Sequence, residues 1–340
     1  MDVSVVCPFY NEAGILEASV RGLLAQLELL PHDWELIIVD DGSSDGSGAI
    51  AKSLTRLSPR LRVLGYRTNR GRGYALRTGI AAARGDTIVT TEIDLSWGDT
   101  IVHELVAEIL RHPETDMVVA SPHLPGGGYR NVPFKRVLLS RVGNMIIRAC
   151  LSRAPTMNTG MTRAYRRELI QSLPLSEDGK EFHLEVILKA TTFGARLREI
   201  PAMLEWKEYK HQGLRVKRKS SSRVKLLIVT HSLFSLFANP IRYVWAMSLA
   251  SLFIGGVALI WAVVDYVRHA VSIYMALLSV SMVILGIVLF VMGVVLQQGN
   301  IIQRELWSIQ RLMIRAGNDK EPAHLISGQI AAAEATGVEL

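Results

Sequence analysis

Along residues 1–205 the apolar positions keep two alternating rhythms. Short unbroken runs, VSVVC at 3–7 and ELIIV at 35–39, read as strands buried on both faces. Between them, Ile15, Leu16, Val20, Leu23, Leu24 and Leu27 recur at helical spacing within 12–30, with Asn11 as candidate N-cap. The same reading predicts helices at 47–57, 74–83 and 100–111 and strands at 61–66, 87–93 and 116–121. Such alternation predicts an α/β domain, a parallel sheet with helices on both faces. Ligands of such sheets bind beyond the carboxyl ends of the strands. That singles out residues 8–12, 40–45, 69–73, 92–94 and 121.

Past residue 240 the rhythm is lost and the chain turns apolar throughout. Residues 243–264 and 271–296 are runs of 22 and 26 without a charge, and about 20 residues suffice to cross a hydrocarbon core. They predict a transmembrane helical hairpin; a buried two-helix core is the plainer alternative. Residues 207–225 hold eight Lys/Arg against one acid, a local excess equal to the net +7 of the whole chain. The positive-inside rule therefore places residues 1–240 and the tail in the cytoplasm, and the basic stretch suits anionic membrane lipids; no nucleic-acid partner is expected. Residues 226–237 read as an interfacial helix. Apolar spacing after Gln297 predicts an amphipathic helix lying on the membrane or on a second copy in a homo-oligomer, and 317–340 reads as poorly ordered. The expected division is 1–205 catalytic, 206–240 juxtamembrane, 241–297 membrane-spanning and 298–340 tail.

Composition narrows the class. At 49% hydrophobic and 20% charged the chain is too apolar for a wholly soluble protein. Two cysteines make neither a disulfide framework nor a zinc site, and no signal peptide is expected. The strand ends are rich in acids: Asp40 and Asp41 after the second strand, Glu92 and Asp94 after the fourth. On an extended segment Glu92 and Asp94 share one face, where their repulsion calls for a hard divalent cation such as Mg²⁺ or Mn²⁺ bridging to phosphate. Two solvated loop acids are the bland alternative. No GxGxxG or P-loop pattern supports a dinucleotide fold or a P-loop enzyme.

Four stretches, VCPFYNE at 6–12, IVDDGSSD at 38–45, NRGRGYA at 69–75 with Gly79, and GDTIVTTEID at 85–94, resemble glycosyltransferase family 2 in order and spacing. SRVGN at 140–144, NTGM at 158–161, EVILK at 185–189 and EIP at 199–201, with the terminal hairpin, narrow the resemblance to its polyprenyl-phosphate (dolichol-phosphate mannosyltransferase-like) glycosyltransferases. It spans about residues 1–300. The resemblance implies a GT-A fold and inverting transfer of a sugar from a UDP- or GDP-sugar to a polyprenyl phosphate of undecaprenyl type, in a bacterial inner membrane and for the cell envelope.

Carried over by position, Pro8, Tyr10, Glu12, Ile38 and Asp40 hold base and ribose. Asp41, Arg72, Ile93 and Lys210 complete the nucleotide-sugar contacts. Glu92 and Asp94 take the metal-binding places of the DxD motif, and Ser96 stands where a third ligand is usual. Arg136 and Ser140, with Arg130 and Arg141, match the acceptor-phosphate site, and Asp94, Arg136 and Ser140 are the catalytic candidates. Residues 122–131 read as a lid over the acceptor mouth or as an ordinary loop. A phosphate nucleophile is already an anion and needs cations more than a base.

The sequence departs from that pattern in four places. Glu92 is one methylene longer than the usual aspartate, Pro122 stands in place of an arginine, Asn158 in place of an aspartate, and Arg72 in place of a lysine. They point to a divergent branch with a different sugar. A glycan or glycolipid acceptor, or a non-catalytic relative, stays open; no QxxRW sequence of processive synthases is present.

Overall fold

The computed structural model describes residues 1–150, 155–206, 209–211, 214–216, 240–268 and 273–318. It divides into two compact units, Met1–Ser222 with Gln310–Leu340, and Arg223–Ile309.

The first unit is built on β1 (Val3–Phe9), buried along its whole length. It runs parallel to β2 (Trp34–Asp40) on one side and β4 (Thr87–Thr90) on the other. A strand covered on both faces has no use for polar alternation, which is why these runs are apolar throughout. With β3 (Leu61–Gly65), β5 (Met117–Ser121), β7 (Arg163–Arg166) and β8 (Leu197–Pro201), the sheet order is β3-β2-β1-β4-β7-β5-β8. The chain winds outward from β1 to β3 and then returns to the other side of β1. This reversal opens a crevice at the carboxyl ends of β1 and β4.

The expectation of a purely parallel sheet is corrected by β7, antiparallel to both β4 and β5. Its sequence, RAYR, carries a fully buried arginine, Arg163, and gives no apolar run to read. The helices before α5 are α1 (Leu16–Glu28), α2 (Ser47–Leu54), α3 (Arg72–Ala82) and α4 (Ile101–Arg111). Then follow α5 (Phe134–Cys150), α6 (Arg167–Ile170) and α7 (Phe182–Thr192). Residues 122–131 are tied in place at one end, where β6 (Gly128–Arg130) pairs with β9 (Met203–Glu205). A short ribbon, β10 (Tyr209–His211) with β11 (Leu214–Val216), falls in the basic stretch.

The second unit pairs α8 (Pro240–Val267) with the membrane-length part of α9 (Ile273–Asn318). Ser248 Oγ donates to the Gly286 carbonyl and Ser251 Oγ to that of Met282, each at 2.8 Å. The Trp245 and Phe290 rings stack at 6.5 Å. Rising numbers on one helix meet falling numbers on the other, so the pair is antiparallel. Serines that satisfy backbone carbonyls and glycines at the contact suit packing in lipid. Leu249, Phe253 and Ile260 are 71%, 71% and 67% exposed. Both helices are long and apolar enough to cross a membrane. The helix expected after Gln297 continues the second span without interruption: α9 runs 46 residues, about 70 Å at ~1.5 Å per residue. Residues 226–237 and the reading of 319–340 lie outside the described residues.

Candidate active site

The crevice is built from four loops. At the end of β1, Asn11 adopts a left-handed backbone (φ 55°) and is latched to the loop after β2. Its N–H donates to Ser43 Oγ at 3.0 Å, and its Oδ1 accepts from the Ser44 N–H at 2.8 Å. The Glu12 and Ala13 N–H groups donate to Ser47 Oγ and Asp45 Oδ2. Tyr10 thereby stands 46% exposed at the crevice mouth, a free aromatic face. Asp40, half-buried, accepts from the Ser43 N–H at 2.9 Å.

Two of the expected nucleotide contacts have other duties. Ile38 is wholly buried in β2, between Cys7 of β1 and Val63 of β3, and has no side-chain surface for a base. Asp41 is 4% exposed and its carboxylate is used up inside the fold. Oδ1 accepts from Tyr66 OH (2.6 Å) and the Arg70 and Gly71 N–H groups (3.0 Å each), and Oδ2 from Asn69 Nδ2 (3.0 Å). Asp41 therefore shapes the 69–71 loop that launches Arg72. Pro8 and Ile93 are also buried.

The second acid pair lies differently. β4 ends at Thr90, and 92–95 form a turn closed by Leu95 N–H to the Glu92 carbonyl at 3.4 Å. This replaces the extended segment expected there. Leu95 pays for the turn with a positive φ of 54°, a strain of the kind held at functional sites. The chain folds back so that Ser96 Oγ (2.7 Å) and Trp97 Nε1 (3.1 Å) both donate to Glu92 Oε2. Ser96 is thus an orienting group for Glu92 in place of the third metal ligand expected. Its backbone N–H also donates to Oδ1 of the buried Asp94 at 3.0 Å.

With Oε2 fixed, Glu92 Oε1 faces Arg72 Nη1 at 3.9 Å. Arg136, on α5, lies close enough for the Glu92 charge to oppose the burial that depresses its pKa. Its guanidinium stacks 4.5 Å over Trp206, worth about 0.5–2 kcal/mol. Lys180 has its pKa lowered by partial burial, then by the Arg72 and Arg136 charges. Arg72 and Arg136 therefore both lie within electrostatic reach of Glu92, and Lys180 within reach of the two arginines and of Glu181. A part-exposed ion pair such as Arg72–Glu92 contributes only about 0–1 kcal/mol, so stability does not account for the gathering.

Ser140, one turn beyond Arg136 on α5, belongs to a polar cluster. Tyr129 OH donates to Ser140 Oγ at 3.3 Å, and His123 Nε2 lies 3.2–3.5 Å from Tyr129 OH, Ser140 Oγ and Asn144 Nδ2. Burial, then the Arg141 charge, lowers the His123 pKa. Arg130 is 64% exposed at its side chain, 3.8 Å from Glu205. Asn158 is buried, its amide donating to Asn144 Oδ1 and the Pro155 carbonyl, so it braces α5. For Lys210 only the strand is described.

Glu92 and Asp94 are hard oxygen donors. Mg²⁺ and Mn²⁺ take one or two carboxylates and complete their shell with water and phosphate, so this pair fits such an ion. Among the described residues no three His, Cys, Asp or Glu side chains converge as a metal cage. Sequence reasoning missed Trp97, Lys180, Trp206 and His123. Lys180 sits in a polar turn, SEDGKE at 176–181, that reads as surface.

The sequence profile of glycosyl transferase family 2 matches residues 4–173. The chain belongs to this family. Glycosyltransferase AglD of Haloferax volcanii is 34% identical over 212 residues, 61% of this chain and 33% of that protein. Polyprenol monophosphomannose synthase of Mycolicibacterium smegmatis is 28% identical over 65% of this chain and 82% of that protein. Undecaprenyl-phosphate 4-deoxy-4-formamido-L-arabinose transferase of Enterobacter sp. is 32% identical over 63% and 64%. The chain thus spans a third of the first of these relatives and just under two thirds of the last.

Among solved structures, mannosyl-3-phosphoglycerate synthase of Rubrobacter xylanophilus superposes with TM-score 0.53 at 19% identity, covering 69% of this chain and 74% of that one. Glucosyl-3-phosphoglycerate synthase of Mycobacterium tuberculosis, with Mn²⁺, UDP-glucose and phosphoglyceric acid, gives 0.50 at 20% identity, covering 70% and 78%. The shared fold is GT-A.

Proposed function

We propose that this protein is an inverting, membrane-bound glycosyltransferase that moves a sugar from a nucleotide diphosphate sugar to a polyprenyl phosphate. The observation that carries the reading is the gathering of Arg72 and Arg136 about Glu92 and Asp94 at the switch-point crevice. Both substrates are phosphate anions, and a site that must bring two anions together needs cations on either side of the reacting carbon. The two relatives named for polyprenol and undecaprenyl phosphate support that acceptor class.

In this mechanism Tyr10 and Asp40 take the base and ribose, and Arg72 faces the diphosphate. Glu92 Oε1 and Asp94 are the donors that would hold a divalent cation, and the chemistry it would supply is neutralisation of the diphosphate leaving group. Arg136 and Ser140 orient the acceptor phosphate. One of its oxygens forms the new bond to the anomeric carbon while the carbon–oxygen bond to the diphosphate breaks, with inversion. The nucleophile is ionised and no general base is required. Helices α8 and α9 anchor the protein in the bilayer beside its lipid acceptor, with the catalytic unit on the cytoplasmic, basic side.

The test incubates the purified full chain with undecaprenyl phosphate, Mg²⁺ or Mn²⁺, and a panel of UDP- and GDP-sugars, reading nucleotide and lipid by mass spectrometry. A polyprenyl-monophosphate sugar from one donor is expected. Transfer only to a glycan or glycolipid contradicts the acceptor, and absence of both turnover and nucleotide binding contradicts the whole reading.

A further inference from the structure

We infer that Trp206 is a positioning residue that fixes Arg136 at a set place relative to the 92–96 turn, which deepens the reading above and rests on it. The placement begins in the loop after β5. Gly127 passes so close to the end of that strand that a Cβ there would lie 2.6 Å from the Ser121 carbonyl oxygen and 3.1 Å from the Ala202 nitrogen. This close approach lets β6 pair with β9, in register Gly128↔Met203, Tyr129↔Leu204 and Arg130↔Glu205. The Gly128 N–H donates to the Ala202 carbonyl at 3.1 Å, and the Trp206 N–H extends the ribbon by donating to the Arg130 carbonyl at 3.1 Å. The Arg130 and Glu205 side chains face each other at 3.8 Å. Trp206 thereby takes its place from the ribbon.

The ribbon is also tied to the acids. The Glu205 N–H donates to the Ser96 carbonyl at 2.7 Å. Ser96 in turn orients both carboxylates, through its N–H to Asp94 Oδ1 at 3.0 Å and its Oγ to Glu92 Oε2 at 2.7 Å. The next residue along, Trp206, lays its half-buried ring 4.5 Å from the Arg136 guanidinium. From Ser96 to the acceptor cation the path is thus one hydrogen bond, one peptide unit and one ring stack. The stack is one of the contacts that place Arg136, and it leaves the N–H edge of the guanidinium to meet an anion. Burial alone would ask only for an apolar side chain at 206; what the indole adds is a face for a cation. Two phosphate groups that must meet in line across one carbon need their binding groups at a fixed separation, and Trp206 sets it on the acceptor side.

The experiment measures binding by calorimetry on the detergent-solubilised full chain, with Mg²⁺ throughout, for the wild type, Trp206→Leu and Trp206→Tyr, each also in an Arg136→Lys background. The probes are dodecyl phosphate in the micelle, UDP and GDP. Loss of the ring face is expected to weaken dodecyl phosphate binding in Trp206→Leu by about threefold to tenfold, with Trp206→Tyr recovering most of it and nucleotide affinity unchanged. In the Arg136→Lys background the planar stack is already lost, so Trp206→Leu should cost less than about twofold there. Equal losses in the two backgrounds overturn the inference, because the ring then acts without Arg136. A change below about twofold in Trp206→Leu itself overturns it while leaving the proposed function intact. A parallel loss of nucleotide affinity and melting temperature, with no recovery by tyrosine, also overturns it, in favour of a structural role. A wild type that fails to bind dodecyl phosphate overturns the proposed acceptor and the role of Trp206 together.

Discussion

Two acid pairs stand at strand ends of one sheet edge, Asp40–Asp41 and Glu92–Asp94, and the fold uses them in opposite ways. Asp41 is spent on its own chain, its carboxylate filled by four donors from residues 66–71. Glu92 is held by only one oxygen, through Ser96 and Trp97, and turns the other toward Arg72. A carboxylate saturated by backbone and neutral donors is architecture. One half-tethered and within reach of two arginines is poised for a ligand. Counting who donates to each oxygen separates the pairs where counting acids does not.

Substitution breaks the comparison most sharply at Asp94 and Asp41. Asp94→Ala is expected to cut product formation by about 10²–10³-fold while costing less stability than Asp41→Ala: it strands the Ser96 N–H, at about 1–3 kcal/mol. Asp41→Ala should do the reverse in emphasis. It strands several buried donors, each costing about 1–3 kcal/mol, so unfolding by heat or denaturant should show a loss of a few kcal/mol. Equal melting temperatures for the two variants would erase the distinction.

Arg136→Ala is expected to lose about 10–10²-fold in turnover, and Arg136→Lys to recover little of it. An ammonium cannot reproduce a planar guanidinium stacked on Trp206. Full recovery with lysine would reduce Arg136 to a point charge.

Trp97→Phe keeps the buried ring and removes only the N–H to Glu92. The expected result is a rise of a few-fold in the metal concentration needed for half-maximal rate, with a stability change below about 1 kcal/mol. No change in the metal titration would mean that Ser96 alone orients Glu92.

The smallest effect is on acid stability. Burial, then the Arg163 and Arg72 charges, hold the His183 pKa well below its usual value. Below pH about 6.5 the unfolded chain takes up a proton that the folded chain refuses. This contribution is therefore whole above that pH and is lost as pH falls. His183→Phe should flatten the decline in melting temperature between pH 7 and 5; an unchanged slope would assign the decline to other groups.

Much of this arrangement was legible in the sequence. The strands β1, β2 and β5 announce themselves because strands covered on both faces are apolar without interruption, and the acids that follow β2 and β4 mark the crevice. The polar RAYR of β7 was not legible, since its pairing with two distant neighbours, more than its own side chains, makes it a strand. Ile38 was carried over by position, but burial is decided by β1 and β3 on either side. Lys180 was hidden for the same reason. Its loop is polar and turn-like, and only Gly71 and Gly73, where a Cβ would meet the 177–179 backbone, bring that loop against α3. In α9, lone Gly299 was too weak a stop to separate span from tail.

The most direct test of the central claim is a structure of the full chain with a nucleoside diphosphate and Mn²⁺, read through manganese anomalous scattering. The expected map places manganese on Asp94 and the free oxygen of Glu92, with the diphosphate running toward Arg72. Manganese away from these carboxylates, or a diphosphate seated on Asp41, would contradict it.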